Sequence, residues 1–80
     1  MNRDEARNVI SEVFRRITPG VDLDTVDAAA ELRYELDIDS MDLLNAVIAI
    51  HERTGVDIPE TDYGKIETLE GLVEYLVEHG

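Results

Sequence analysis

The apolar residues of this chain recur at helical spacing and nowhere form alternating runs of strand-formers, so its core must be built from amphipathic helices. Ala6, Val9, Ile10, Val13, Phe14 and Ile17 make one stripe, which predicts a first helix over residues 3–17. Asn2 followed by Glu5 reads as its capping-box start, and Thr18-Pro19-Gly20 as its stop. A second helix is predicted over 40–54. Leu43, Leu44, Val47 and Ile50 lie on one broad face, Asp42, Asn45, Glu52 and Arg53 opposite, and Met41 and Ile48 at the border. Gly55 is its C-terminal cap. Leu69, Leu72, Val73 and Leu76 predict a last helix over 69–78, capped by Thr68. Gly71 lies inside it, at a cost of roughly 1 kcal/mol relative to alanine.

The intervening segments carry weaker signals. Val21, Leu23 and Val26 follow no helical register, although local propensity favours a helix from Ala28 to Leu36 behind Asp27 as cap. Residues 20–39 therefore read as a long connection with one short helical piece, pinned by Leu32, Leu36 and Ile38. Val56-Asp57-Ile58-Pro59 reads as a short extended link, and Asp62 to Ile66 as a single helical turn. The expected fold is all-α: a small bundle of three main helices plus one short helix, with a long first loop. With 80 residues and no repeat or linker, one domain over 1–80 is expected. Only four residues are aromatic, so its core must be mostly aliphatic.

Charge and composition exclude several functions. A net charge of −12 argues against nucleic-acid binding and against an anionic membrane surface. It points to partners with basic patches, steered together at long range. There is no cysteine, so a thioester chemistry would need a thiol from a prosthetic group. The charged N-terminus leads into no apolar stretch, and the apolar run Ala46 to Ile50 is too short to span a bilayer. A cytoplasmic monomer is the expectation.

Enzyme constellations are missing. His51 and His79 fall on separate helices without motif-spaced partners, and no glycine-rich phosphate loop is present. Asp22, Asp24 and Asp27 lack the glycine and terminal glutamate of a calcium loop, as do Asp37, Asp39 and Asp42, so no dedicated metal site is expected. The chain has two serines. Ser11 sits within the first helix, whereas Ser40 opens the second between Asp39 and Asp42. Locally this pattern reads as a helix cap, with Asp39 or Ser40 accepting a backbone N–H and Asp42 complementing the dipole.

The wider sequence adds to that local reading. Leu32-Arg33-Tyr34-Glu35-Leu36-Asp37-Ile38-Asp39-Ser40-Met41-Asp42-Leu43-Leu44 resembles the phosphopantetheine-attachment segment of acyl carrier proteins, which typically reads Leu-Gly-x-Asp-Ser-Leu. The resemblance continues through Gly55-Val56-Asp57-Ile58-Pro59 and to Thr68-Leu69, covering essentially the whole chain. Asp37 stands where the family usually has glycine, and Met41 where it has leucine.

The resemblance implies a carrier and not an enzyme. Ser40 would accept 4′-phosphopantetheine from coenzyme A, Asp39 would help a phosphopantetheinyl transferase position its magnesium, and Met41 would be the apolar contact beside the serine. The thiol of the arm would hold acyl intermediates as thioesters, for fatty-acid or specialised acyl or polyketide biosynthesis. Acyl-loading and acyl-processing enzymes with basic docking patches would meet Met41, Asp42, Asn45, Ile48 and Glu52. A loose aliphatic core could open between helices to shelter the acyl chain. His51 is expected at the boundary, on the buried side of its helix. The competing reading is an acidic helical interaction module, an adaptor or inhibitor, with no prosthetic group.

Overall fold

The computed structural model describes residues 1–80. Three long helices, α1 (Arg3–Ile17), α3 (Ser40–Thr54) and α4 (Leu69–His79), are joined by a four-residue helix, α2 (Leu32–Glu35), and two 3-10 turns, Leu23–Thr25 and Glu60–Lys65. The expected all-α bundle, with its long first loop, is the observed one.

The helix ends follow from their side chains. Asn2 Oδ1 accepts the Glu5 N–H at 2.8 Å and the Asn2 N–H donates to Glu5 Oε1 at 3.3 Å, which closes the capping box. Gly55 ends α3 in the left-handed conformation (φ 75°), and Thr68 Oγ1 accepts the Gly71 N–H at 3.0 Å to start α4. α1 packs against both α3 and α4. Their facing stripes meet in one cluster of 18 buried residues, among them Ile10, Phe14, Leu32, Ile50, Ile66 and Leu76. Phe14 and Tyr75 are its only aromatic members, so the core is aliphatic as expected.

The first loop departs from local propensity at Ala28–Ala30, which is not helical. Tertiary hydrogen bonds take those residues instead. The Glu70 N–H donates to the Ala28 carbonyl at 3.0 Å, the Leu32 N–H donates to the Glu67 carbonyl at 2.7 Å, and Glu31 bridges Thr68. Asp27 caps only a local turn, accepting the Ala29 N–H at 3.0 Å. Helix α2 therefore starts late, with Leu32 and Leu36 buried and Ile38 half-buried, the three anchors anticipated for this loop. The turn at Leu23–Thr25 carries little sequence signal beyond Asp22, whose carboxylate accepts the Asp24 N–H at 3.0 Å.

Gly71 has a packing role that helix propensity hides. Its α-hydrogen faces the backbone of Lys65, and a Cβ there would overlap the Lys65 carbonyl oxygen. The glycine lets α4 approach the end of the 3-10 turn. Gly71→Ala is therefore expected to destabilise the protein by about 1–3 kcal/mol through this overlap, where propensity alone would predict a gain. Urea denaturation of the two proteins decides the sign.

Candidate functional site

Ser40 is placed by the turn that precedes it. The Ile38 N–H donates to the Arg33 carbonyl at 3.0 Å and the Asp37 N–H to the Tyr34 carbonyl at 3.4 Å. This is a Schellman closure of α2, with Asp37 at its left-handed position (φ 53°). The backbone geometry explains why glycine suits this site and why aspartate, among the better-tolerated non-glycine residues there, can replace it.

Asp39 then caps α3. Its Oδ1 accepts the Asp42 N–H at 2.9 Å, and the Asp39 N–H donates to Asp42 Oδ2 at 3.4 Å. The cap thus belongs to the aspartate pair, and Ser40, the first residue of the helix, is left exposed with its hydroxyl outside the cap. The helix N-terminus behind it favours an attached phosphate.

Beside Ser40 runs a groove of about 350 Å³, lined by Met41, Leu43, Leu44, Val47, Tyr63 and Ile66 with Arg33 and Glu67 among its polar borders. Leu43 and Leu44, expected on the core face, are only half-buried because they face this gap. The residues proposed for docking sort by geometry. Met41, Asn45, Ile48 and Glu52 follow i, i+4, i+7, i+11 spacing on one exposed face of α3. Met41 is 62% and Ile48 49% exposed. Asp42 is half-buried and committed to the cap. His51 is exposed, contrary to its expected place on the buried side, because its ring turns back toward the helix end, where Nδ1 lies 3.2 Å from the Val56 carbonyl oxygen. Missed altogether from the sequence is Tyr34, 84% exposed on α2. In an isolated four-residue helix no periodicity announces which way a side chain points.

The far wall of the groove, residues 60–66, is tied to α4 by a hydrogen bond from the Tyr75 hydroxyl to Asp62 Oδ2 at 2.8 Å. That bond holds Asp62 below its ordinary carboxylate pKa, helped by Lys65 against a smaller opposing effect of desolvation. The same bond, with burial, pushes the Tyr75 hydroxyl up to about 12. Tyr75 also stacks on His79, with ring centroids 4.1 Å apart.

An exposed hydroxyl thus stands at a helix start beside an aliphatic groove. The chain matches the family described as phosphopantetheine attachment site over residues 7–76. It is 37% identical over 79 residues to the acyl carrier protein of Rubrobacter xylanophilus, covering 99% of this chain and 96% of that protein. It is 36% identical over 61 residues to the acyl carrier protein of Bdellovibrio bacteriovorus, covering 76% and 78% respectively. To the mitochondrial acyl carrier protein of Neurospora crassa it is 27% identical over 77 residues, 96% of this chain and 58% of that protein. The chain belongs to the phosphopantetheine-attachment family of acyl carrier proteins. It holds acyl groups on covalently attached 4′-phosphopantetheine, and it interacts with a phosphopantetheinyl transferase and with acyl-processing enzymes. This sets aside the adaptor without a prosthetic group. No helix is long and apolar enough to cross a membrane.

Both pKa shifts have consequences for stability. Asp62, lowered, stabilises the fold above its ordinary value of 3.8 and loses that contribution as pH falls through the folded pKa. Tyr75, raised, contributes below 10.0 and loses its contribution as pH rises toward about 12. Tyr75→Phe should lower the urea midpoint at neutral pH. Its gap to the parent protein should narrow both below pH 3.8 and above pH 10.0. A gap independent of pH would mean that ring packing, not the hydrogen bond, holds the wall.

Proposed function

We propose that Ser40 is the attachment point of the phosphopantetheine arm, in a carrier domain spanning residues 1–80. The observation that carries this reading is the exposed Ser40 hydroxyl at the start of α3, left free because Asp39 and Asp42 cap each other. In the loading step the Ser40 hydroxyl gives its proton to a base of the transferase. Its oxygen forms the new bond to the phosphorus that bears the pantetheine of coenzyme A. The pyrophosphate bond of coenzyme A breaks and the adenosine bisphosphate leaves, so the product is a phosphodiester. Asp39 Oδ1 is engaged in the cap, and the second carboxylate oxygen remains for the magnesium of the transferase. Met41 serves as the apolar contact beside the arm.

The groove supports sheltering of an acyl chain. Six of its nine lining residues are hydrophobic, and it opens at Ser40. Each methylene moved into such a lining contributes about 0.8 kcal/mol. The protein itself catalyses nothing in this reading; it carries intermediates between enzymes as a monomer in the cytoplasm, for fatty-acid synthesis or a dedicated acyl or polyketide pathway. Those enzymes present basic patches to Met41, Asn45, Ile48 and Glu52, with Asp42 shaping the helix start.

Intact mass after incubation with coenzyme A, magnesium and a broad-specificity transferase tests the attachment site. One phosphopantetheine addition is expected on the parent chain and none on Ser40→Ala. Addition to the variant would place the arm elsewhere. Docking is tested with Glu52→Lys, which leaves the cap intact. Its transferase or synthase binding should weaken by roughly 1 kcal/mol at low salt, and the defect should shrink as salt screens the charges. A salt-independent defect would argue against electrostatic docking.

A further inference from the structure

Tyr34 is the most exposed large apolar residue of the molecule, at 84%, well above Met41, Ile48 and Val77. Its place is fixed. The carbonyl of Tyr34 accepts the Asp37 N–H, and the neighbouring Arg33 accepts the Ile38 N–H at its carbonyl while its side chain borders the groove that opens at Ser40. The Schellman turn thus fixes the backbone that runs from Tyr34 to the start of α3 at Ser40. Arg33 is further steadied by Glu31, whose Oε1 accepts from Nε at 3.0 Å and Nη2 at 2.8 Å. An aromatic ring left in water on such a determined stretch of backbone suits an anchor that is buried only in a complex.

We propose that Tyr34, with Met41 on the other side of Ser40, is the apolar anchor for the phosphopantetheinyl transferase. The inference rests on Ser40 as the loading site. Its partner is chosen by reach. Enzymes that act on the thioester meet the far end of a flexible arm, whereas the loading enzyme must bring its own centre to the Ser40 oxygen. The surface around that oxygen, formed by the end of α2 and the start of α3, is therefore surface the transferase has to cover. Charge agrees with this. Asp37 and Asp39 lie exposed in the stretch between Tyr34 and Ser40 and form no ion pair, while Arg33 and Glu31 neutralise each other. An enzyme that binds polyanionic coenzyme A presents cationic groups next to its active site, complementary to this acidic frame. Tyrosine and methionine are enriched among interface residues, and aromatic anchors dominate binding energy when surrounded by polar contacts.

The test is steady-state loading of the full chain with coenzyme A and magnesium, comparing Tyr34→Ala, Tyr34→Gln and Tyr34→Phe. The alanine and glutamine variants should lose about tenfold or more in kcat/KM, and Tyr34→Phe should stay within a few-fold of the parent. Urea midpoints should be unchanged, because the ring packs against nothing in the free protein. The loss should persist at high salt, which does not screen apolar burial. Val77→Ala, an exposed apolar residue on α4 outside the groove lining, should load normally. Normal loading of both Tyr34→Ala and Tyr34→Gln overturns the inference. So does normal loading followed by slow acylation of the phosphopantetheinylated variant, which would give Tyr34 to a later enzyme. Failure of the attachment reading is separately visible as addition to Ser40→Ala.

Discussion

The turn from Leu36 to Asp39 sets the relative positions of everything around Ser40. Asp37 in the left-handed conformation lets two N–H groups return to the last turn of α2, and two residues later Asp39 opens α3 with its own cap. No residue in this stretch is free to move independently, because one helix end and one helix start share it. The exposed groups that flank it, Arg33, Tyr34, Ser40 and Met41, are therefore held by backbone hydrogen bonds and not by side-chain packing. That arrangement keeps the Ser40 hydroxyl in water at the start of a helix.

The core beneath supplies the second constraint. It is almost entirely aliphatic, and no side-chain polar atom is buried without a partner. Aliphatic side chains have no fixed mutual orientation of the kind aromatic pairs demand. Leu43, Leu44 and Val47 form an aliphatic wall that lines the groove beside Ser40. The opposite wall, residues 60–66, buries little besides Ile66 and relies on the Tyr75–Asp62 hydrogen bond and on the close approach at Gly71. One side of the groove is a rigid helix and the other a tethered turn.

How much of this was legible in the sequence follows from where local and tertiary forces agree. The limits of α1 and α3 were readable because Asn2, Glu5 and Gly55 carry their own hydrogen-bonding or conformational reasons, independent of the rest of the chain. Ala28–Ala30 were not, since their helical propensity yields to hydrogen bonds from a segment some forty residues away. Gly71 read as a local weakness because the carbonyl it accommodates belongs to another element. At the site, the local pattern around Ser40 gave only a helix cap; the carrier reading came from the resemblance of the surrounding segment, and the family match supports it. Nothing local marked Tyr34, since exposure on an irregular connection is a property of the fold.

The distribution of charge completes the case for a carrier that binds and leaves. Five of the seven Lys and Arg residues form ion pairs, Arg3–Glu70, Arg7–Asp24, Arg33–Glu31, Arg53–Glu12 and Lys65–Asp62, and most of their groups are solvent-accessible. Exposed pairs of this kind contribute at most about 1 kcal/mol each, and their charges cancel, so the net charge of −12 is carried by carboxylates outside these pairs. It repels its own copies and mildly opposes the compact state. Uncompensated carboxylates raise association rates with any basic surface more than they raise final affinity. A protein that must hand one acyl group to several enzymes in turn needs fast arrival and fast departure. A high negative charge beside only a small exposed apolar area on α3, at Met41 and Ile48, is compatible with both, because a small apolar area limits how tightly any partner is held.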